Sequence, residues 1–179
     1  ALSRLLVYPR TEYFTELWLL GPSHTAEDYP FNITRGNSYS IFLGIRNWLS
    51  YCAYYSVQVK FRDQNQSAPT SFGPTGNPTP STLASLFNLT AFVADEGVLE
   101  LPLTFSFGYA LNETISEVKV YSMTLNGALL DISGSSLVWN SNKKGYAGNL
   151  FFEAWLYNAS TGSFQYHERS VGLWLNMTV

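Results

Sequence analysis

A period of two recurs along this chain, and no long stretch carries the helical period. The clearest case is Tyr51–Phe61. Tyr55, Val57, Val59 and Phe61 fall on one side, and Ser56, Gln58 and Lys60 on the other. Ser38–Arg46 repeats the pattern, with Tyr39, Ile41, Leu43 and Ile45 against Ser40, Phe42 and Gly44. Successive side chains of a strand point to opposite faces, so each run predicts a strand with one buried face. Gly97–Phe107 alternates as well, and Pro102 within it predicts an edge or a bulge. Ile115–Leu125 is a further strand, and Asn126-Gly127 after it is the strongest hairpin signal in the chain. Ala128–Ile132 and Ser136–Trp139 continue the meander. Asn149–Asn158 is an aromatic strand, Ser160-Thr161-Gly162 turns it, and Phe164–Val179 returns. Thr82–Phe92 fits a helical turn or a strand equally. About ten strands at even spacing predict an all-β, immunoglobulin-like β-sandwich.

The first twenty residues, ALSRLLVYPRTEYFTELWLL, carry more apolar surface than a terminus normally exposes. Pro9 cannot donate to a sheet ladder and holds Tyr8 extended. The segment therefore reads as two strands, 1–8 and 12–20, hinged at Pro9 and Arg10. The second pairs within its own domain. The first, with Leu2, Leu5, Leu6, Val7 and Tyr8, either folds back as an ordinary edge strand or completes the sheet of a second copy. Residues 1–10 are thus a donor strand and hinge, and 11–179 the sandwich. A strand of this length reaches about 26 Å, enough to cross a neighbour's sheet. One alternating set of its side chains is expected to bury: Leu5 and Val7, or Leu2, Leu6 and Tyr8. Arg4 falls in the second set, which favours the first.

Composition narrows the function. Of the 179 residues 46% are hydrophobic and 13% charged. That charged share is half the usual value of about 25%. A net charge of -3 and no basic stripe exclude a phosphate-neutralising surface, so no nucleic-acid partner is expected. No apolar run is long enough to span a membrane. The chain begins with Ala, which reads as a mature product after removal of a signal peptide. The single cysteine, Cys52, excludes an internal disulfide and is expected to pack as a small apolar side chain.

Asn-x-Ser/Thr sequons occur at Asn32, Asn65, Asn88, Asn112, Asn158 and Asn176, none with proline in the middle. With 13 Asn and 34 Ser or Thr among 179 residues, chance supplies about 2.5 sequons. The excess predicts an extracellular chain bearing N-linked glycans, whose hydration replaces that of the missing charges. Catalytic patterns are absent. His24 and His167 lack metal-ligand spacing. The neighbouring carboxylates Glu27-Asp28 and Asp95-Glu96 read as acidic turns. No metal, cofactor or enzymatic activity is expected. A buried lysine beside Asn or Asp with a nearby carboxyl can form an isopeptide crosslink, but Lys60 and Lys119 both alternate outward. Residues 63–82, with four prolines and two glycines, read as an exposed insertion or a stiff surface segment.

Five segments carry a resemblance. FTELWLLGP, AEDYPFNITRGNSYSIFLGIRN and YSVQVKF follow one another in Phe14–Phe61, and FFEAWLYN and HERSVGLWLNMTV close the chain. In order and spacing they resemble the soluble β domain of an archaeal family of membrane-tethered proteins of unknown function. The middle, about 63–145, has no counterpart and reads as an expansion. Without a tether, and with sequons and an apolar first strand, the chain is similar to subunits of archaeal thread filaments. That resemblance implies a secreted, cell-surface, head-to-tail homopolymer in which each subunit donates its first strand to the next, with no catalytic residues to carry over. A secreted monomeric adhesin or carbohydrate-binding module is the alternative expectation.

Overall fold

The computed structural model describes residues 12–71, 73–74 and 76–179. The tail residues Leu2, Leu5, Leu6, Val7, Tyr8, Pro9 and Arg10 lie outside them. The described residues form ten strands and no helix: β1 (Phe14–Leu20), β2 (Asn32–Ile33), β3 (Tyr39–Trp48), β4 (Ala53–Arg62), β5 (Phe87–Val93), β6 (Val98–Asn112), β7 (Glu117–Leu125), β8 (Ala128–Asn140), β9 (Gly145–Asn158) and β10 (Ser163–Met177). The architecture is an all-β, immunoglobulin-like sandwich. One sheet runs β1-β3-β6-β7-β8 and the other β5-β4-β9-β10-β2. The sheets join where β8 runs on to pair with β9 at Trp139 and Tyr146.

Alternation sets the core. Ile41, Leu43 and Ile45 of β3, Leu103, Phe105, Phe107 and Tyr109 of β6, and Val118, Val120, Met123 and Leu125 of β7 bury from the first sheet. Tyr55, Val57, Val59 and Phe61 of β4 and Leu150, Phe152 and Ala154 of β9 meet them from the second. At Asn126-Gly127 both residues take positive φ, 48° and 84°, and Leu125 pairs Ala128. This is the two-residue hairpin that Asn-Gly favours. Pro102 pairs Phe42 of β3 before the β6–β7 ladder begins at Phe105, so its missing N–H breaks no bond on that side. The region 63–145 supplies β5 to β8, most of one sheet and an edge of the other. It is part of the sandwich, not a lobe hung on it.

Two expectations need correction. Cys52 is exposed, at the start of β4, instead of packed. Lys60 does point away from the core, as its phase requires, but it is only 2% exposed. The reason is the segment after β4. It lies along the outer face of the second sheet, where Lys60, Phe151 and Glu153 are all buried. Lys60 Nζ is 2.6 Å from Glu153 Oε1 and donates to the carbonyl of Ser81. The amide of Ser81 donates to Glu153 Oε2 at 2.7 Å. Asp63 holds the other end of the segment, accepting from the amides of Asn65, Gln66 and Ser136. Lys119 is exposed, as its phase predicts.

A buried charge left without its partner destabilises far more than the pair stabilises. Lys60→Met is expected to cost about 3–5 kcal/mol in denaturant unfolding. Replacing Lys60 and Glu153 together by Met and Leu is expected to recover most of that loss. Equal stability of the single variant and the wild type would rule out the ion pair as an anchor.

Candidate functional site

Among the described residues, one edge of the last strand is largely unpaired. β10 pairs β9 from Ser163 to Met177 with one register shift between Tyr166 and Arg169, but among the described residues its other edge pairs only with the two residues of β2, at Asn176 and Met177. There the amides of Asn176 and Thr178 donate to the carbonyls of Phe31 and Ile33. Backbone groups two residues apart point to the same side of a strand. The N–H and C=O of Ser170, Gly172 and Trp174 therefore face the same edge, where no strand among the described residues pairs with them. β1 is the facing edge of the other sheet and, among the described residues, pairs only with β3.

Core-facing side chains line the seam between these edges. Leu17 of β1 and Val171 and Leu173 of β10 pack against the core yet remain partly exposed. Leu175 and Leu19, one step further along, are buried. The seam is apolar, and among the described residues no strand pairs with the β10 edge beside it, so together they form a slot between the two sheet edges. One end is closed. Arg169 Nε donates to the carbonyl of Thr15 at 3.1 Å, and Thr15 Oγ1 lies 2.7 Å from His167 Nε2 and 2.7 Å from the Tyr55 hydroxyl. Burial pushes the Tyr55 hydroxyl up to about 12, and the bond to Thr15 opposes this. Burial, and then the charge of Arg169, hold His167 below its ordinary value. At the other end the Tyr29 hydroxyl donates to the carbonyl of Leu19, and the Tyr109 hydroxyl donates to the carbonyls of Ile33 and Thr178.

The sequons are spread over the surface. Asn32, Asn65, Asn88 and Asn112 are exposed, and Asn158 is half-buried at the turn between β9 and β10. Asn176 is different. It is 5% exposed, and its Nδ2 donates to Asn32 Oδ1 at 3.0 Å across the β2–β10 pairing. Its side chain occupies the space beside Gly145. The amide nitrogen that a glycan needs is turned into the fold, so this sequon is not open to modification in this structure. Asn176 is outward in phase, between core-facing Leu175 and Met177, and its burial comes from contacts with Asn32 and beside Gly145, which alternation along β10 does not show.

Among the described residues no group of three His, Cys, Asp or Glu side chains is placed to hold a metal ion, and no helix is long and apolar enough to cross a membrane. No family model and no curated protein matches the sequence. Among solved structures the chain is similar to the ASH / PapD-like domain of human CEP192, PapD-like domain 7. The identity is 9% and the TM-score 0.32, over 96% of this chain and 91% of that one.

Two expectations follow. A histidine whose folded-state value is depressed adds stability while neutral, and that stability is lost as pH falls below its ordinary value of 6.5. His167→Gln is therefore expected to flatten the fall in melting temperature between neutral and mildly acidic pH; an unchanged slope would remove His167 from the seam's pH response. Glycopeptide mass spectrometry is expected to recover the Asn176 peptide unmodified. Sugar at Asn176 would mean that β2 does not pair with β10 in the mature protein.

Proposed function

We propose that this chain is the structural subunit of an extracellular, N-glycosylated archaeal surface filament, polymerising head-to-tail by strand donation. The observation that carries the reading is the slot beside β10, where half-buried Leu17, Val171 and Leu173 lie next to an edge that no strand among the described residues pairs with. An edge of this kind templates the addition of a strand. Residues 1–8 have the length and apolar alternation to be that strand. From Arg169 to Leu175 the edge spans about 23 Å at the rise of an extended strand, close to the reach of the tail. A tail on one surface and a slot on another make a heterologous contact, which propagates as an open filament instead of closing as a dimer. The resemblance to thread-filament subunits and the five accessible sequons agree with this reading. N-linked glycans are its only proposed additions, and it assigns no catalytic residue.

The alternative is a secreted monomeric adhesin or carbohydrate-binding module. The aromatic groove at one end of the second sheet, lined by Tyr51, Tyr54, Phe92 and Tyr157, favours it.

Deleting residues 1–9 separates the two. The truncated protein is expected to fold, stay monomeric, and bind a synthetic peptide of residues 1–10 with a rise in melting temperature. The full chain is expected to show thin filaments by negative-stain microscopy, and the truncated chain none. Filaments from the truncated chain would exclude strand donation. A full chain that stays monomeric would leave the tail as an intramolecular edge and favour the binding module.

A further inference from the structure

Strand donation makes no use of the aromatic groove. The β3–β4 connection brings Tyr51 and Cys52 against the β9–β10 turn, and the open groove between them has a volume of about 600 Å³. Tyr54 stacks on Phe92 with ring centroids 4.3 Å apart. Phe164 adds a third ring, 5.1 Å from Tyr54 and 5.5 Å from Tyr157. This is a rigid wall, yet Phe92 is 72% exposed and Tyr51 52%. Single apolar residues on a surface need no explanation, but a contiguous aromatic cluster in a concavity marks a covered or binding surface.

The groove contains its own anchor. Asn158, a sequon asparagine, lines it. Its Oδ1 accepts from the amide of Ser160 at 2.9 Å, and its Nδ2 donates to Gln165 Oε1 at 3.2 Å. These bonds fix the side chain and use one of the two hydrogens on Nδ2. An N-glycosidic bond replaces the other and leaves the Gln165 bond standing. A sugar attached there starts inside the groove. Among the groove-lining residues Asn158 is the sequon asparagine.

We propose that the N-glycan on Asn158 folds back into this groove, its proximal sugars lying on the rings of Tyr54, Phe92 and Tyr157. This rests on the reading of the chain as an N-glycosylated protein. The apolar C–H face of a pyranose suits the face of an aromatic ring, while its hydroxyls remain available to Gln165 and water. A weak contact is enough, because the tether holds the sugar at an effective concentration of about millimolar. The glycan thereby covers the exposed rings of Phe92 and Tyr51.

Cys52 is exposed and lines the same groove, so its thiol reports on occupancy. The test uses full-length protein from the native host, with glycopeptide mass spectrometry at Asn158 and maleimide labelling of Cys52. Ser160→Ala removes the sequon but keeps the backbone amide that holds Asn158. It is expected to label several-fold faster than wild type. Phe92→Thr, with the glycan retained, is expected to label faster too, and to add nothing in the Ser160→Ala background. Asn158→Gln, checked for native circular dichroism, serves if Ser160→Ala fails to fold. Full occupancy with equal labelling rates overturns the packing of the glycan. An unmodified Asn158 overturns the proposal through the glycosylation reading beneath it, and the same spectrum tells the two apart. Protection of Cys52 by free oligosaccharide in the occupied wild type also overturns it, since the groove is then open to outside sugar.

Discussion

The structure depends on covering β9 from both sides. β9 pairs β4 on one edge and β10 on the other, and its residues from Gly145 to Ala154 are all buried. The inner face is met by the opposite sheet. Among the described residues the outer face has no second layer of secondary structure, and the segment after β4 lies along it. That segment is rich in proline and poor in apolar side chains, so hydrophobic burial alone does not hold it. The Lys60–Glu153 pair does. A carboxylate buried on a strand is destabilising until something donates to it. Lys60 and the amide of Ser81 both donate to it, and Ser81 belongs to the covering segment. The anchor is therefore conditional, because each charge is tolerable only while the segment is in place. The specificity of the cover comes from that condition and not from the strength of the ion pair, which is largely offset by desolvation.

The same logic explains what was legible in the sequence. Strands β3, β4 and β7 and the Asn126-Gly127 hairpin follow from alternation and turn chemistry, which are local. Local pattern gives the phase of a side chain but not what covers the face it points to. Lys60 is outward in phase and still buried, because the cover comes from residues further along that carry no periodic signal. Cys52 fails the opposite way. Its residue type is usually buried, but it sits where β3 crosses to β4, at the end of the sandwich. The slot was illegible for a third reason. Leu17 and Val171 are more than 150 positions apart in the chain, and only the sheet order makes their edges neighbours. The sequence marked a tail with surplus apolar surface. It held no local mark of where such a tail fits.

In the proposed polymer the slot also fixes the register of the strand that fills it. Donor side chains on one face enter the slot at every second position, so a slip by one residue exchanges the whole set. With Leu5 and Val7 inward, the entering groups are aliphatic and meet Leu17, Val171 and Leu173. One step out of register, Leu2, Leu6 and Tyr8 enter and bring Arg4 to the same face. The slot walls carry no carboxylate among those three side chains. A guanidinium forced inward there would be desolvated without a partner, and that costs more than the extra apolar contacts return. The Thr15 carbonyl at the closed end is already taken by Arg169 and is not free to accept from an inserted guanidinium. A single charged residue in an otherwise sticky tail is thus enough to choose one register, while main-chain bonding to the edge of β10, indifferent to register, supplies the strength.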